Sequence, residues 1–185
     1  MVKSLFSYNE TGIYLISPTN IDKKNFPKIL YEVLATKFIK IFQLRLKKTS
    51  DAEIIEIINI LYPICIKYKV PFILNDRVDL TKKTGIDGVH LGKKDLDIRK
   101  ARKLLGNKKI IGSSCYNNIF LSIKSAHLGA NYLAFGSFFE TTTKEKTKKV
   151  NISNLNKYRK FHNIPLVAIG GLNKFNITKL KPLNF

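Results

Sequence analysis

Short apolar runs alternate with longer charged segments along this chain, and the alternation predicts its secondary structure. The apolar runs predict buried strands, and the segments between them carry apolar residues at the spacing of amphipathic helices. We predict strands over Gly12–Ser17, Ile39–Leu46, Pro71–Asn75, Gly88–Leu91, Lys109–Ser114, Tyr132–Phe138 and Pro165–Gly170. We predict helices over Asn25–Thr36, Asp51–Lys69, Asp79–Thr84, Ile98–Leu105, Asn118–Leu128, Ser153–Phe161 and Lys174–Leu180.

The second predicted helix has the clearest start and the clearest buried face. Its first residue, Asp51, is of a type that caps helix N-termini, so we predict that it is the N-cap. The apolar positions that follow predict a buried stripe, formed by Ile54, Ile55, Ile58 and Leu61.

The order of these elements restricts the fold class. Strands that alternate with helices pair in parallel through βαβ crossovers, which leaves a doubly wound sheet or a (β/α)₈ barrel. The chain shows seven strands and then one more helix, whereas a barrel needs an eighth strand to close. We therefore expect an α/β fold in one domain over residues 1–185, with a C-terminal unit that is short or missing.

Composition places the chain among globular proteins without a membrane segment. It has 185 residues, 44% of them hydrophobic, which is enough for a sizeable core. The longest apolar runs are too short to cross a bilayer, and the N-terminus lacks the pattern of a signal peptide. The two cysteines, Cys65 and Cys115, lie in apolar contexts and predict buried reduced thiols. These features predict a cytoplasmic protein.

The net charge is unusually high. Thirty-three basic and thirteen acidic residues give +20, a value that suits a polyanion such as nucleic acid. However, only five of the basic residues are Arg, the residue that recognises a base through two hydrogen bonds at once. The Lys residues are spread over most segments. We favour a compositional bias toward Lys, Ile and Asn over a specific nucleic-acid partner.

Three polar side chains share one face of the second predicted strand. Because side chains alternate along a strand, Gln43, Arg45 and Lys47 point to the same side. Both faces of a helix-covered parallel sheet are normally apolar, so these residues predict either an anion clamp or a solvated strand edge.

Acidic residues follow the next two strands. Asn75 ends the third strand, Asp76 follows it directly, and Asp95 follows the fourth strand. Neighbouring parallel strands lie only about 5 Å apart, so the two carboxylates can meet at one mouth and hold Mg²⁺ beside a phosphate. The alternative is that Asp76 is a turn residue and Asp95 an acid at a helix N-terminus.

Further anion-binding groups follow the last three strands. Ser114 ends the fifth strand, and hydroxyl groups and a lysine follow the sixth at Thr141, Thr143 and Lys144. Such groups suit a phosphate, although a flexible Thr-rich loop would also account for them. The seventh strand ends at Gly170 and Gly171, whose lack of a side chain permits close backbone approach to a ligand.

Taken in order, these motifs resemble the thiamine-phosphate synthases. The resemblance runs from about Tyr14 to Gly171 and is carried by Gln43-x-Arg45-x-Lys47, Asn75-Asp76-Arg77, Gly88-Val89-His90-Leu91-Gly92 with Asp95, Ile111-Gly112-x-Ser114, Thr141-x-Thr143-Lys144 and Ala168-Ile169-Gly170-Gly171. It implies a TIM (β/α)₈-type barrel, of which this chain shows seven strands.

The resemblance also implies an activity and a set of site residues. These enzymes join a hydroxymethylpyrimidine diphosphate to a thiazole phosphate with Mg²⁺ as cofactor and release pyrophosphate. Carried over by position, the residues that bind the pyrimidine diphosphate are Gln43, Arg45, Lys47, Asn75, Ser114 and Lys144, of which Arg45, Lys47, Ser114 and Lys144 act on the departing pyrophosphate. Asp76 and Asp95 hold the metal, and Thr141, Thr143 and Gly171 bind the thiazole phosphate.

Two other functions stay open at this stage. One is a thiazole tautomerase-like relative, although such relatives use a His where this chain has Ser137. The other is a degenerate, non-catalytic barrel or a basic polyanion-binding protein, against which the retained acids Asp76 and Asp95 argue. We expect small-molecule substrates as partners, no specific nucleic acid or membrane, and a possible homodimer.

Overall fold

The protein is described by a computed structural model that covers residues 11–140, 150, 155 and 163–183. Strands and helices alternate along these residues, as predicted. The strands are β1 (Ile13–Ile16), β2 (Ile39–Leu44), β3 (Phe72–Asn75), β4 (Gly88–Leu91), β5 (Ile110–Tyr116), β6 (Tyr132–Phe135) and β7 (Leu166–Ala168). The helices are α1 (Phe26–Ala35), α2 (Asp51–Tyr68), α3 (Val78–Thr84), α4 (Ile98–Leu105) and α5 (Ile119–His127), and a 3₁₀ helix covers Ile177–Leu183.

The described chain forms two compact units that interleave in sequence. The first unit contains Gly12–His90 and Lys103–Ile110, and the second contains Leu91–Arg102 and the chain from Ile111 onward. In the first unit β1, β2, β3 and β4 pair in chain order, and in the second β5, β6 and β7 do the same. Every pair is parallel. This arrangement confirms the α/β class, whereas the single domain expected over residues 1–185 stays a prediction.

The core of the first unit lies where α1 and α2 cover the strands. Phe42 and Phe72, on neighbouring strands, are fully buried with ring centroids 5.3 Å apart in an edge-to-face arrangement. Burying a side chain of this size contributes about 1.5–3 kcal/mol. Leu34 of α1 and Leu61 of α2 pack into the same cluster.

A carboxylate at the amino end of β4 ties several elements of the first unit together. Asp87 accepts hydrogen bonds from the Tyr62 hydroxyl at 3.1 Å and from the Phe72 N–H at 2.8 Å. Its carbonyl oxygen accepts from the N–H of Ile110, the first residue of β5, at 2.9 Å. Beside it, the Lys109 ammonium donates to the carbonyl oxygen of Ile86 at 2.7 Å. Residues 103–110 are thereby attached to the first unit.

Four predicted details differ from the structure or lie outside it. The N-cap of α2 is Ser50, whose hydroxyl accepts from the Glu53 N–H at 3.3 Å, and Asp51 is the first helical residue. Ile57 is buried, and Ile55 is only partly buried, because the helix is rotated slightly from the predicted face. The helix predicted over Lys174–Leu180 is instead the 3₁₀ helix Ile177–Leu183. Of the helix predicted over 153–161, only Leu155 lies within the described residues, and it is helical and buried.

None of the helices in the described part of the chain is long and apolar enough to cross a membrane. Cys65 and Cys115 are both free and buried, as predicted.

Candidate active site

Three polar side chains on β1, β2 and β3 form a hydrogen-bonded row in the first unit. The Tyr14 hydroxyl donates to Oε1 of Gln43 at 3.2 Å, and Nε2 of Gln43 donates to Oδ1 of Asn75 at 2.7 Å. Gln43 is only 3% exposed, so these bonds satisfy an amide that is nearly removed from water. The row fixes which way the Gln43 amide points.

His90 closes this row at β4. It is opposite Asn75 in the β3–β4 register, it is 7% exposed, and its ring lies 6.5 Å from the Tyr14 ring in an edge-to-face arrangement. Gln43 and Asn75 were predicted site residues, whereas the contribution of Tyr14 was missed. Tyr14 is the one residue of β1 whose side chain carries a polar group, and this hydroxyl in an apolar strand could have identified it as a site residue.

The two cations of the predicted clamp lie beyond the end of β2. The strand ends at Leu44, two residues earlier than predicted, so the strand face predicted to carry Gln43, Arg45 and Lys47 does not extend to Arg45 or Lys47. Instead, the Arg45 N–H donates to the Ser17 hydroxyl at 2.9 Å, and the Lys47 N–H donates to the Thr19 carbonyl oxygen at 3.3 Å. Within the described residues, no carboxylate forms an ion pair with Arg45 or Lys47. Both positive charges are therefore available to an anion.

Asp76 sits at the centre of a tight turn directly after β3. Its φ angle is +66°, and the Arg77 N–H donates to the Asn75 carbonyl oxygen at 2.8 Å, which closes a three-residue γ-turn around it. Its own N–H donates to the His90 carbonyl oxygen at 2.9 Å. A residue other than glycine in this left-handed region costs about 1–3 kcal/mol, and such residues concentrate at functional sites.

Arg77 connects this turn to the first turns of two helices. Its guanidinium donates to both carboxylate oxygens of Asp51 in α2, at 2.5 and 2.8 Å, and to both of Asp79 in α3, at 2.9 and 2.6 Å. These hydrogen bonds lower the pKa of Asp51 and of Asp79 and raise the pKa of Arg77. This network was not predicted, because Arg77 gives no periodic signal in the sequence.

In the second unit, Asp95 folds back onto the end of β4. One of its carboxylate oxygens, Oδ2, accepts from the Gly92 N–H at 2.6 Å, and the Asp95 N–H donates to the Gly92 carbonyl oxygen at 3.3 Å. A Cβ atom at Gly92 would lie 3.0 Å from that Oδ2. The half-buried carboxylate keeps its other oxygen without a hydrogen-bond partner among the described residues.

Ser114 lies in β5, opposite Ala134 of β6, and is half-buried. The β5–β6 register shifts between Ser114 and Tyr116, as at a bulge. Two residues earlier, a Cβ atom at Gly112 would lie 2.0 Å from the Tyr132 ring. The glycine of the Ile111-Gly112-x-Ser114 motif therefore makes room for a core tyrosine.

The glycines after β7 pack against the chain that follows β6. The Phe139 N–H donates to the Gly170 carbonyl oxygen at 3.1 Å, and a Cβ atom at Gly170 would lie 2.5 Å from that of Ser137. At Gly171 it would lie 2.3 Å from the Glu140 carbonyl oxygen. The close approach predicted for a ligand is thus made here by the protein's own backbone. The N–H groups of Gly170 and Gly171 donate to no atom of the described chain.

Three predicted site residues, Thr141, Thr143 and Lys144, lie outside the described residues. The others divide between the units. Gln43, Arg45, Lys47, Asn75 and Asp76 belong to the first unit, and Asp95, Ser114 and Gly171 belong to the second.

The chemistry of the two predicted metal ligands fits magnesium. Mg²⁺ prefers carboxylate oxygens and usually takes only one or two from the protein. Asp76 is exposed in its turn, and Asp95 has an oxygen to offer. In the described residues no group of three or more His, Cys, Asp or Glu side chains could hold a metal ion.

Neither thiol is suited to act as a nucleophile. Burial and, to a smaller extent, the Asp87 charge raise the pKa of Cys65 to about 12, and burial raises the pKa of Cys115 to about 12. The thiolate is the reactive form of cysteine, so both side chains are unreactive near neutral pH.

Comparison with known proteins identifies a family. Residues 13–183 match a family model described as thiamine monophosphate synthase. The chain is 45% identical over 172 residues to a thiamine-phosphate synthase of Pelagibacter ubique, covering 93% of this chain and 83% of that protein. It is 38% identical over 160 residues to one of Rhodospirillum centenum, covering 86% of this chain and 77% of that protein.

Solved structures agree with these matches. The thiamine phosphate pyrophosphorylase of Pyrococcus furiosus has a TM-score of 0.78 at 28% identity, covering 95% of this chain and 82% of that one. This similarity confirms the predicted α/β fold of the TIM type. A 3-dehydroquinate dehydratase of Geobacillus kaustophilus, at 12% identity and a TM-score of 0.60, covers 90% of this chain and 77% of that one and shares the fold alone.

Proposed function

Because this chain belongs to the thiamine monophosphate synthase family, we propose which substrates it joins and which residues act on them. The relatives that this chain matches over most of its length are thiamine-phosphate synthases. The chain is therefore an enzyme of that class, a transferase of thiamine biosynthesis. The proposed substrates are 4-amino-2-methyl-5-hydroxymethylpyrimidine diphosphate and 4-methyl-5-hydroxyethylthiazole phosphate, carboxylated or not. The products are thiamine phosphate and pyrophosphate, and CO₂ is released as well where the thiazole phosphate is carboxylated.

The pyrimidine ring is proposed to bind at the row formed by Gln43 and Asn75. An aminopyrimidine presents both a donor and acceptors along one edge, and a fixed amide can match such an edge with paired hydrogen bonds. Tyr14 and Asn75 hold the Gln43 amide in one orientation, so little rotational freedom is lost on binding.

The diphosphate is proposed to bind at the cations that follow β2. Arg45 and Lys47 pair with no carboxylate among the described residues, and Arg suits two phosphate oxygens at once. Ser114 and Lys144 complete this group in the proposal. Their charges and hydroxyl stabilise the negative charge that develops on the departing pyrophosphate.

Asp76 and Asp95 are proposed as the ligands of Mg²⁺. When bound, Mg²⁺ would neutralise part of the negative charge of the diphosphate. The thiazole phosphate is proposed to bind at Thr141, Thr143 and Gly171. The N–H groups of Gly170 and Gly171, which have no partner in the described chain, support an anion there.

We propose a dissociative displacement at the pyrimidine methylene. The carbon–oxygen bond to pyrophosphate breaks with both electrons leaving on oxygen, and the electron-rich ring stabilises the methylene cation. The thiazole nitrogen then attacks that carbon with its lone pair. This route needs no protein nucleophile, which fits the two unreactive thiols. Positioning and electrostatic stabilisation would supply the catalysis.

The observation that carries this function is the hydrogen bond between buried Gln43 and half-buried Asn75, in the unit that also holds two cations without a carboxylate partner among the described residues. The direct test mixes the protein with Mg²⁺ and both substrates, and follows thiamine phosphate and pyrophosphate together. Equal release of the two products is expected. Pyrophosphate release without thiamine phosphate would contradict the proposed coupling, and no release would return the choice to a tautomerase-like or non-catalytic role. We also propose a cytoplasmic location, because two free buried thiols suit a reducing compartment.

A further inference from the structure

We propose that Arg77 is a positioning residue that holds the carboxylate of Asp76 in place through a charged clamp to α2 and α3. The inference rests on the proposed function, because it takes Asp76 as a metal ligand. Arg77 itself would not touch the metal or either substrate. It would act by fixing the turn on which Asp76 sits.

The backbone at Asp76 needs support from its surroundings. A γ-turn with a positive central φ is a rare and strained form, and such residues persist only where neighbouring contacts hold them. One contact is the hydrogen bond from the Asp76 N–H to the His90 carbonyl oxygen, at 2.9 Å. A second is the bond from the Arg77 N–H that closes the turn, so any movement of Arg77 changes the turn directly.

The side chain of Arg77 attaches this residue to two helices and so restricts the movement of its backbone. The guanidinium makes paired hydrogen bonds to Asp51 and a second pair to Asp79, and the planar fork allows only one orientation that satisfies both. The Asp51 and Asp79 side chains are 58% and 62% exposed, and exposed ion pairs contribute little to stability. The clamp is therefore better suited to fixing direction than to stabilising the fold.

Both ends of the clamp lie next to residues of the proposed site. Asp51 begins α2, directly after the short segment that carries Arg45 and Lys47, and Arg77 directly follows Asp76. The clamp thus joins the segment with the proposed diphosphate cations to the turn with the proposed metal carboxylate. Groups that support a metal ligand in this indirect way typically change metal affinity by about 10- to 100-fold when they are removed.

A purely electrostatic role for Arg77 makes a different prediction. Arg77, Asp51 and Asp79 together carry a charge of −1, and Arg77→Met leaves −2, which would repel a diphosphate. The triple variant Arg77→Met, Asp51→Asn, Asp79→Asn carries no charge at these positions. An electrostatic role predicts that the triple variant recovers, whereas the positioning role predicts that it does not, because the clamp is still absent.

The test measures binding of Mn²⁺, as a probe for Mg²⁺, in the presence of pyrophosphate, by electron paramagnetic resonance. We expect binding about tenfold weaker in Arg77→Met, an intermediate loss in Arg77→Lys, and no recovery in the triple variant. The KM for the thiazole phosphate should not change. Arg99→Met is the matched control, since Arg99 is exposed on α4 and its guanidinium pairs with no described carboxylate. Melting temperatures report whether each variant folds. If Arg77→Met does not fold, Arg77→Lys is used for the comparison instead.

Two results would overturn the inference: Mn²⁺ binding by Arg77→Met and Arg77→Lys equal to that of the parent protein, or full recovery in the triple variant. Asp76→Asn separates this failure from a failure of the proposed function. If Asp76→Asn binds Mn²⁺ normally, the metal assignment itself is wrong. If Asp76→Asn loses the metal and Arg77→Met keeps it, only the role of Arg77 is wrong.

Discussion

Replacing Tyr14 with Phe removes one hydroxyl and should weaken both the fold and binding of the pyrimidine diphosphate. Among the described residues, that hydroxyl is the only group that donates to Oε1 of Gln43, and Gln43 is 3% exposed. Leaving a buried acceptor without a partner costs about 1–3 kcal/mol. The bond is 3.2 Å long, at the weak end of the range, so we expect a loss of about 1 kcal/mol.

This loss can be followed in two ways. Urea unfolding should show a lower midpoint with an unchanged slope, and the melting temperature should fall by about 2–4 °C, the shift that 1 kcal/mol produces in a chain of this size. Without the hydroxyl the Gln43 amide can rotate, and the KM for the pyrimidine diphosphate should rise by about fivefold, the factor that corresponds to 1 kcal/mol. The KM for the thiazole phosphate should stay the same.

Tyr31→Phe is the matched control, because the hydroxyl that it removes makes an exposed hydrogen bond on α1, accepted from the Lys67 ammonium at 2.7 Å. Its stability and both KM values should stay near those of the parent protein, as for most surface substitutions. If Tyr14→Phe is as stable as the parent and binds the pyrimidine diphosphate equally well, the row from Tyr14 to Asn75 does not orient the amide, and the reasoning fails.

Four further predictions follow from the site. Asp76→Asn should abolish Mg²⁺-dependent turnover while the melting temperature stays nearly constant, because Asn also tolerates a positive φ; turnover that survives would disprove the metal assignment. Arg45→Ala should raise the Kd of the pyrimidine diphosphate far more than that of the thiazole phosphate in calorimetric titrations, and equal weakening would argue against the clamp. Gly170→Ala should lower the melting temperature, because a Cβ atom there clashes with the segment after β6 at a φ of +92°; an unchanged melting temperature would refute that packing. Cys65 and Cys115 should resist a thiol reagent at pH 8 until the chain is unfolded in denaturant, since each pKa is raised to about 12 and the thiolate forms only at far higher pH; rapid labelling of the folded protein would contradict their burial.

The pattern of apolar and polar residues was sufficient to predict most helices and strands, because buried positions recur at regular intervals along them. Strand β4 and helix α4 have the predicted bounds, and most other elements end within two residues of the prediction. The errors have physical causes. Ser50 rather than Asp51 caps α2, since two adjacent residues are both good caps and only the backbone decides between them. The last described helix is a 3₁₀ helix where an α-helix was predicted, and the spacing of apolar residues did not distinguish the two.

Site residues could be predicted from the sequence only where the residue itself or its near neighbours in the chain indicate a function. Gln43 and Asn75 follow from polar residues in apolar strands, but their hydrogen bond depends on the register between β2 and β3. Tyr14 and the link from Arg77 to α2 were missed because Gln43 and Asp51, the residues that they bond, are far along the chain. Gly112 and Gly171 belong to the motifs found in the sequence, but the atoms that require a glycine there belong to Tyr132 and Glu140. Such contacts appear only when strands have been assembled.

The interleaving of the two units has a consequence for how the chain folds during synthesis. All strand pairings of the first unit are between consecutive strands, so each can form soon after its second strand leaves the ribosome. The unit is nevertheless incomplete at His90, because the bonds from Lys109 and Ile110 to Ile86 and Asp87 belong to it. We therefore expect the nascent chain to gain its first stable, protease-resistant structure only after Ile110 has emerged, at a time when residues 91–102 have been synthesised but the rest of their own unit has not.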